Sequence, residues 1–195
     1  MPALFETSDL VVRDLHHTEV PLLQALFEAN PDYFLLVGGQ PPRRDEAQRE
    51  FDELPPAPLA FGRKWTAGIF DRQEDLHGLL ILVSDLCAVG VWHTALFFLA
   101  KPLHGTGAAA RLHLALENWA KGAGARWLRL GVVSGNAAAE RFWSKCGYLE
   151  VRTREITNAS GQTKTTRVLV KPLAGGTISE YLQLMPRDAA GSTLP

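Results

Sequence analysis

The sequence predicts an α/β protein of the α+β type, with a sheet of about seven strands flanked by about four helices. Three observations carry this reading. Apolar runs of strand length recur from one end of the chain to the other. Two segments, residues 108–121 and 137–146, repeat small and apolar residues at helical spacing. Glycine, proline and asparagine punctuate the joins. With 195 residues the chain has the length of one domain rather than two. Residues 1–172 are expected to form that domain, and residues 173–195 a C-terminal extension that is partly disordered.

In order, residues 9–14 read as a first strand. Residues 20–29 come next as an amphipathic helix with Leu22, Leu23, Leu26 and Phe27 on one side, interrupted by Asn30 and Pro31. Residues 38–42 form a loop, and residues 45–54 a polar helix that Pro55, Pro56 and Pro58 end. Strands at 64–71 and 76–86 flank a polar turn at 72–75, and another covers 91–101. Residues 126–133 form the next strand. Residues 149–156 and 163–171 read as a hairpin closed by the turn at 158–161. Beyond Pro172 the pattern is weak.

Bulk properties exclude several classes. Hydrophobic residues are 46% and charged residues 21%, ordinary for a globular protein. A formal net charge of −1 offers no basic footprint, so no nucleic-acid partner is expected. The first residues lack a basic stretch followed by an apolar core, so no secretory signal is predicted. No apolar run approaches the roughly 20 residues that span a bilayer, so no membrane partner is expected. Cys87 and Cys146 have no metal-ligand spacing. No metal site is predicted, and a reducing cytoplasm is the expected location.

The segment at 97–119 is the most informative. An apolar strand runs into His104-Gly105-Thr106-Gly107-Ala108-Ala109 and straight into a helix whose face carries Ala108, Leu112, Ala115, Leu116 and Trp119. Gly122 and Gly124 end it. The first turn of a helix has free N–H groups and the positive end of the dipole. Glycines let an anion approach that backbone without side-chain clash. A lone GxG is more often a plain tight turn. No Lys-Ser or Lys-Thr comes after it, so this is not a nucleotide-triphosphate loop, and a dinucleotide fingerprint would need a third glycine.

Residues 126–148 make the signal specific. Residues 126–133 form a strand, and Asn136 caps a second helix, Ala137-Ala138-Ala139-Glu140-Arg141-Phe142-Trp143-Ser144-Lys145, with Cys146, Gly147 and Tyr148 after it. The two elements together resemble the GNAT superfamily of N-acetyltransferases. Its members carry [RQ]-x-x-G-x-[GA] at a helix start, then N-x-x-A-x-x-[LF]-Y-x-K-x-G-[FY] some 30 residues later. The resemblance covers residues 64–171 well and residues 9–60 by element order only. There are two departures: His104 stands where arginine or glutamine is usual, and Trp143 stands where many members have a tyrosine that protonates the departing thiolate. An indole N–H donates a hydrogen bond but supplies no proton.

The resemblance implies a GNAT-like mixed, mostly antiparallel twisted sheet, splayed between its fourth and fifth strands. It implies acetyl-CoA as cosubstrate, contacted by Phe97, Phe98, Leu99, His104, Gly105, Thr106, Gly107, Ala108, Ala109, Asn136, Phe142 and Lys145. The backbone N–H of Leu99 would polarise the thioester carbonyl. The implied reaction is direct transfer of acetyl to a primary amine, on a small molecule or a peptide, in a ternary complex. The enzyme would be a monomer or a homodimer. Family members often place a base about six residues before that strand end, which here is His93; its alternative is a core-edge or solvent-facing residue. Asp85 is the rival base, or a turn residue. Tyr33, Phe61, Trp65 and Trp92 line an acceptor pocket or belong to the core. His113 reads as a residue of a solvated helix face, and His16, His17 and His77 show no partner. The competing reading is a CoA-binding sensor or partner module without transferase activity, which Trp143 favours.

Overall fold

Alternating and continuous apolar runs become β1 (Ala3–Glu6), β2 (Leu10–Asp14), β3 (Lys64–Asp71), β4 (Leu76–Val83), β5 (Val91–Leu99), β6 (Trp127–Val133), β7 (Leu149–Thr157) and β8 (Thr163–Pro172). The helices are α1 (Val20–Glu28), α2 (Pro31–Gly38), α3 (Glu46–Asp52), α4 (Ala108–Gly122), α5 (Ala137–Lys145) and α6 (Ile178–Leu184). The structure is a computed structural model that describes residues 1–157 and 163–194. The strands take the order β1-β2-β3-β4-β5-β6-β8-β7 in one sheet. β1–β2, β2–β3, β6–β8 and β7–β8 pair antiparallel, while β5–β6 pair parallel. The mixed, mostly antiparallel sheet is therefore as the sequence predicts. Two numbers change: among the described residues there are eight strands rather than about seven, and six α-helices rather than about four. The extra strand is β1, only four residues long and joined to β2 across an irregular register. The hairpin strands at 149–156 and 163–171 form, and the turn predicted at 158–161 lies outside the described residues.

α2 corrects the reading of Pro31 as an interruption only. Proline ends α1 but opens α2, because at the first helical position its missing N–H costs nothing. Gly39, with φ 72°, closes α2 in the left-handed conformation. α6 arises where the pattern is weak: Thr177 and Glu180 form a reciprocal cap at its start.

The chain divides into two compact units that do not follow chain order. The first comprises Met1–Ala57, Lys64–Leu82 and Ala95–Ala120; the second comprises Pro58–Arg63, Val83–Thr94 and Lys121–Pro195. The first is built around Leu15, Leu23, Phe27, Phe70, Leu79 and Phe98, all buried. Phe27 is wholly buried, with Phe34 and Phe98 set against it edge-on at 4.9 and 5.7 Å. Ala47, also fully buried, lets α3 approach α1, and the Gln24 amide ties them by accepting from Ala47 N and donating to the Arg43 carbonyl. Lys64 Nζ donates to the carbonyls of Glu50, Phe51 and Glu53 and so caps α3 from the start of β3. The second unit has its own core of Val91, Trp127, Val170, Tyr181 and Met185.

Phe27→Ala should lower unfolding free energy by about 3–5 kcal/mol, because a fully buried ring leaves a cavity that its neighbours only partly fill. Urea unfolding should show a lower midpoint at an unchanged slope.

Candidate functional site

In the first unit, β5 ends at Leu99 and the chain turns through a short 3-10 segment, Lys101–Leu103, into α4. Two glycines shape the turn. Gly105 and Gly107 have φ of +76° and +81°, a region that side-chain-bearing residues rarely adopt. A Cβ on Gly105 would meet nothing within 4 Å, so that flank of the turn is open. Side chains satisfy part of the turn. His104 Nε2 donates to the Leu99 carbonyl at 2.9 Å, which fixes the ring's tautomer and folds the turn back on the strand end. Thr106 Oγ1 donates to the Leu103 carbonyl at 2.8 Å and accepts from Ala108 N at 3.3 Å. Among the described residues, the N–H groups of Gly105, Thr106 and Gly107 meet no protein acceptor. They stand at the N-terminus of a 15-residue helix, where the dipole is positive. Arg111, one turn in, adds a cation: it donates to the Thr106 carbonyl at 3.3 Å and pairs with Asp9 at 2.8 Å. Its presence holds the Asp9 carboxyl below the usual range. Phe98 turns into the core against Phe27, Phe34 and Tyr33, so Tyr33 belongs to that core too.

In the second unit, Asn136 Oδ1 accepts from Ala139 N at 3.1 Å and caps α5. Trp143 is 7% exposed, with the rings of Phe142 and Tyr148 at 4.7 and 5.2 Å. Lys145 is exposed and Phe142 half-buried. The β5–β6 register runs from Val91↔Trp127 to Thr94↔Leu130, while β5 continues to Leu99 and β6 to Val133.

His93 lies in that ladder, opposite Arg129. Its Nδ1 is 3.2 Å from both the Arg129 carbonyl oxygen and Arg129 Nη1. Burial, and then the Arg129 charge, push the ring down to about 3. Arg129 forks onto the fully buried Asp188 at 2.7 and 2.9 Å, and Tyr181 donates to the same carboxylate at 2.5 Å. Burial works to raise the Asp188 carboxyl, but the Arg129 and Tyr181 bonds outweigh it and hold it low. Sequence reasoning missed Arg129, Asp188 and Tyr181. One signal was present: both neighbours of Arg129, Trp127–Leu128 on one side and Leu130 on the other, are wholly apolar, and an arginine on a strand buried on both faces demands a carboxylate.

Other candidates resolve into structure. Asp85 Oδ1 accepts from Gly90 N at 2.6 Å and holds a turn. His113 is 2% exposed and its Nε2 is 2.7 Å from Glu117 Oε1, not on a solvated face. His77 pairs with Asp71 at 2.9 Å, His16 caps the turn before α1, and His17 packs edge-on against Phe51. Trp65 and Trp92 are buried.

His93 and Glu50, both strongly displaced, act on stability with opposite signs. The folded His93 stays neutral while the unfolded chain takes up a proton near 6.5, so stability is present above 6.5 and is lost as pH falls towards 3. Glu50, raised to about 7 by burial and then by Glu53 and Glu46, is protonated in the fold when the unfolded chain has lost its proton near 4.5. Its contribution is present below 4.5 and is lost as pH rises through about 7. His93→Gln should therefore flatten the acid side of a melting-temperature profile, and Glu50→Gln should flatten the decline towards neutral pH.

The model of the acetyltransferase (GNAT) family matches residues 23–148. A search of curated proteins finds no match. Among solved structures, the chain is similar to an acetyltransferase from Thermus thermophilus, at 24% identity and TM-score 0.63, covering 84% of this chain and 96% of that one. It is also similar to spermidine N-acetyltransferase from Vibrio cholerae in complex with CoA and spermine, at 16% identity and TM-score 0.65, covering 86% and 98%. The family match spans well over half of the 195 residues and contains both the glycine turn and the Asn136 helix, so the chain belongs to the acetyltransferase (GNAT) family.

Proposed function

We propose that the protein binds acetyl-CoA and transfers its acetyl group to a primary amine by direct attack in a ternary complex. The observation that carries this reading is the turn before α4: three N–H groups without protein acceptors among the described residues, at the positive end of a long helix, two of them on glycines that keep side chains out of the way. These groups fit a pyrophosphate. In this reading Gly105, Thr106, Gly107, Ala108 and Ala109 hold it by backbone, and Phe97, Phe98, His104, Asn136, Phe142 and Lys145 complete the binding set. The His104 ring, already bonded to the Leu99 carbonyl, shapes the turn.

When bound, acetyl-CoA supplies an acetyl thioester. The amine nitrogen forms the new bond to the carbonyl carbon, the carbon–sulfur bond breaks, and the sulfur leaves as thiolate. The Leu99 N–H donates to the carbonyl oxygen as negative charge gathers there. The amine must be neutral to attack, against an unperturbed pKa of roughly 10.4 for a lysine-like group. A ring pushed down to about 3 is a weak base. His93 therefore serves in this reading to orient the amine or a water, which carries the proton off. Trp143 gives no proton, so the thiolate takes one from solvent.

The acceptor is proposed to be a small-molecule or peptide amine, with the enzyme a cytoplasmic monomer or homodimer. Among the described residues no helix is long and apolar enough to cross a membrane. The second reading, a CoA-binding sensor or partner module without transfer, is favoured by the buried tryptophan at position 143.

Release of free thiol from acetyl-CoA with a panel of amines separates the two readings. Transfer predicts amine-dependent release, while the module predicts tight CoA binding with release at background. Gly107→Glu should abolish CoA binding by calorimetry, through bulk and negative charge at the phosphate position, while circular dichroism shows the fold retained. Unchanged affinity would show that the turn is not the cradle.

A further inference from the structure

Four side chains of the second unit form one hydrogen-bonded row. Tyr181 donates to Asp188, Asp188 accepts the Arg129 fork, and the remaining Arg129 Nη1 reaches His93 Nδ1 at 3.2 Å. Tyr181 sits on α6, and Asp188 comes after it in a 3-10 turn, Pro186–Asp188. The far end of the chain thus reaches a histidine of β5 through one arginine of β6.

An arginine that needed only neutralising would be satisfied by the two-pronged contact with Asp188. Here a third donor goes to an imidazole. A guanidinium donates and never accepts, and the Arg129 carbonyl oxygen, equally 3.2 Å from Nδ1, only accepts. Whichever tautomer forms, Nδ1 is engaged by Arg129. Nε2 is the nitrogen left over, and among the described residues it has no protein partner. A histidine held by one nitrogen through a fixed polar group, with the other nitrogen available, is the arrangement in which an orienting residue sets ring plane and tautomer. His93 stands six positions before Leu99 on the same strand.

The surroundings make Asp188 the critical member. Arg129 and Arg187 both act on His93 as cations, and Asp188 opposes them. Arg152 and Arg154 add to the same positive field. They tie down the tail by donating to the carbonyls of Arg187, Ser192 and Leu194. Asp188, fully buried, is the carboxylate that acts within this group of four guanidiniums.

We infer that Arg129 and Asp188, steadied by Tyr181, are positioning residues for His93 in the transfer reaction, so that the C-terminal segment is a working part of the transferase. The inference rests on the transferase reading above.

The test uses the full chain with Arg129→Met and Asp188→Leu combined, which removes both charges and the guanidinium contact to His93, keeps the backbone carbonyl of residue 129, and leaves no buried charge unpaired. Tyr181→Phe, which deletes only one hydroxyl, is the milder second variant. Melting temperature, kcat, KM for acetyl-CoA and the NMR titration of the His93 ring are measured on each. The double variant should keep its melting temperature and its KM for acetyl-CoA. Its kcat should fall about ten- to hundredfold, the scale expected when a positioned group is released. Its His93 titration should move up by about one pH unit or more once the neighbouring cation is gone. Tyr181→Phe should move both readouts in the same direction, by less. A folded double variant with wild-type kcat or an unmoved His93 titration overturns the inference. If the double variant does not fold, Tyr181→Phe decides by the same two readouts. If the wild type releases no thiol with any amine, the transferase reading fails on its own, and a catalytic role for the row falls with it even if the His93 titration moves.

Discussion

A charged arginine on a strand with apolar neighbours on both sides sets a demand that the rest of the second unit is arranged to meet. Arg129 lies between Leu128 and Leu130, each at most 2% exposed. Taking a guanidinium out of water is tolerable only if a carboxylate comes with it and every lone pair is used. Asp188 comes with it, and Tyr181 fills the position that Arg129 leaves open. Such a pair adds little net stability compared with a well-packed apolar replacement, whereas stripping it of one partner costs about 3–5 kcal/mol. It therefore acts as a specification: one register for the tail, and one orientation for the side chain opposite Arg129. α6, with Tyr181 wholly buried, and Met185 just after it, also wholly buried, are the apolar complement to that polar contact.

The first unit answers a different constraint. A strand that ends and a helix that begins a few residues later leave backbone donors without partners. The protein satisfies one of them with Thr106, whose Oγ1 accepts from Ala108 N, while His104 serves the Leu99 carbonyl; three donors stay unsatisfied among the described residues. Exposed amides left in water cost little, and they become useful when an anion arrives. The side-chain bonds and the open amides thus share one short turn: the former hold its shape, and the latter give it a binding capacity.

How much of this is legible in the sequence depends on the range of the interaction. α4 and α5 are legible because caps, glycine stops and apolar periodicity are all local. The glycine turn is legible because Gly105 and Gly107 frame it and a strong helix comes next. α2 is not, because Pro31 reads as a stop, and proline carries the same information for a helix that ends before it and one that starts on it. β1 escapes because four residues with an irregular register give no period to read. His113 reads as a surface residue because its partner Glu117 makes a polar pair that periodicity assigns to the outside. The Arg129–Asp188 pair is least legible: its members are 59 residues apart, and nothing local to Asp188 marks it as buried. Of the site, the backbone cradle can be read from residue types, whereas the surroundings of His93 require the fold.

The three open amides have a consequence in the time domain. Most backbone N–H groups of α4 are locked in helical bonds and exchange hydrogen with solvent only when the helix opens. Those of Gly105, Thr106 and Gly107 have no such lock, so in the free protein they exchange without any unfolding event. An anion seated on them supplies the missing acceptors. Occupancy of the turn is thereby written as a change in exchange rate at three consecutive amides, a signature confined to a stretch of chain that ordinary stability measurements do not sense.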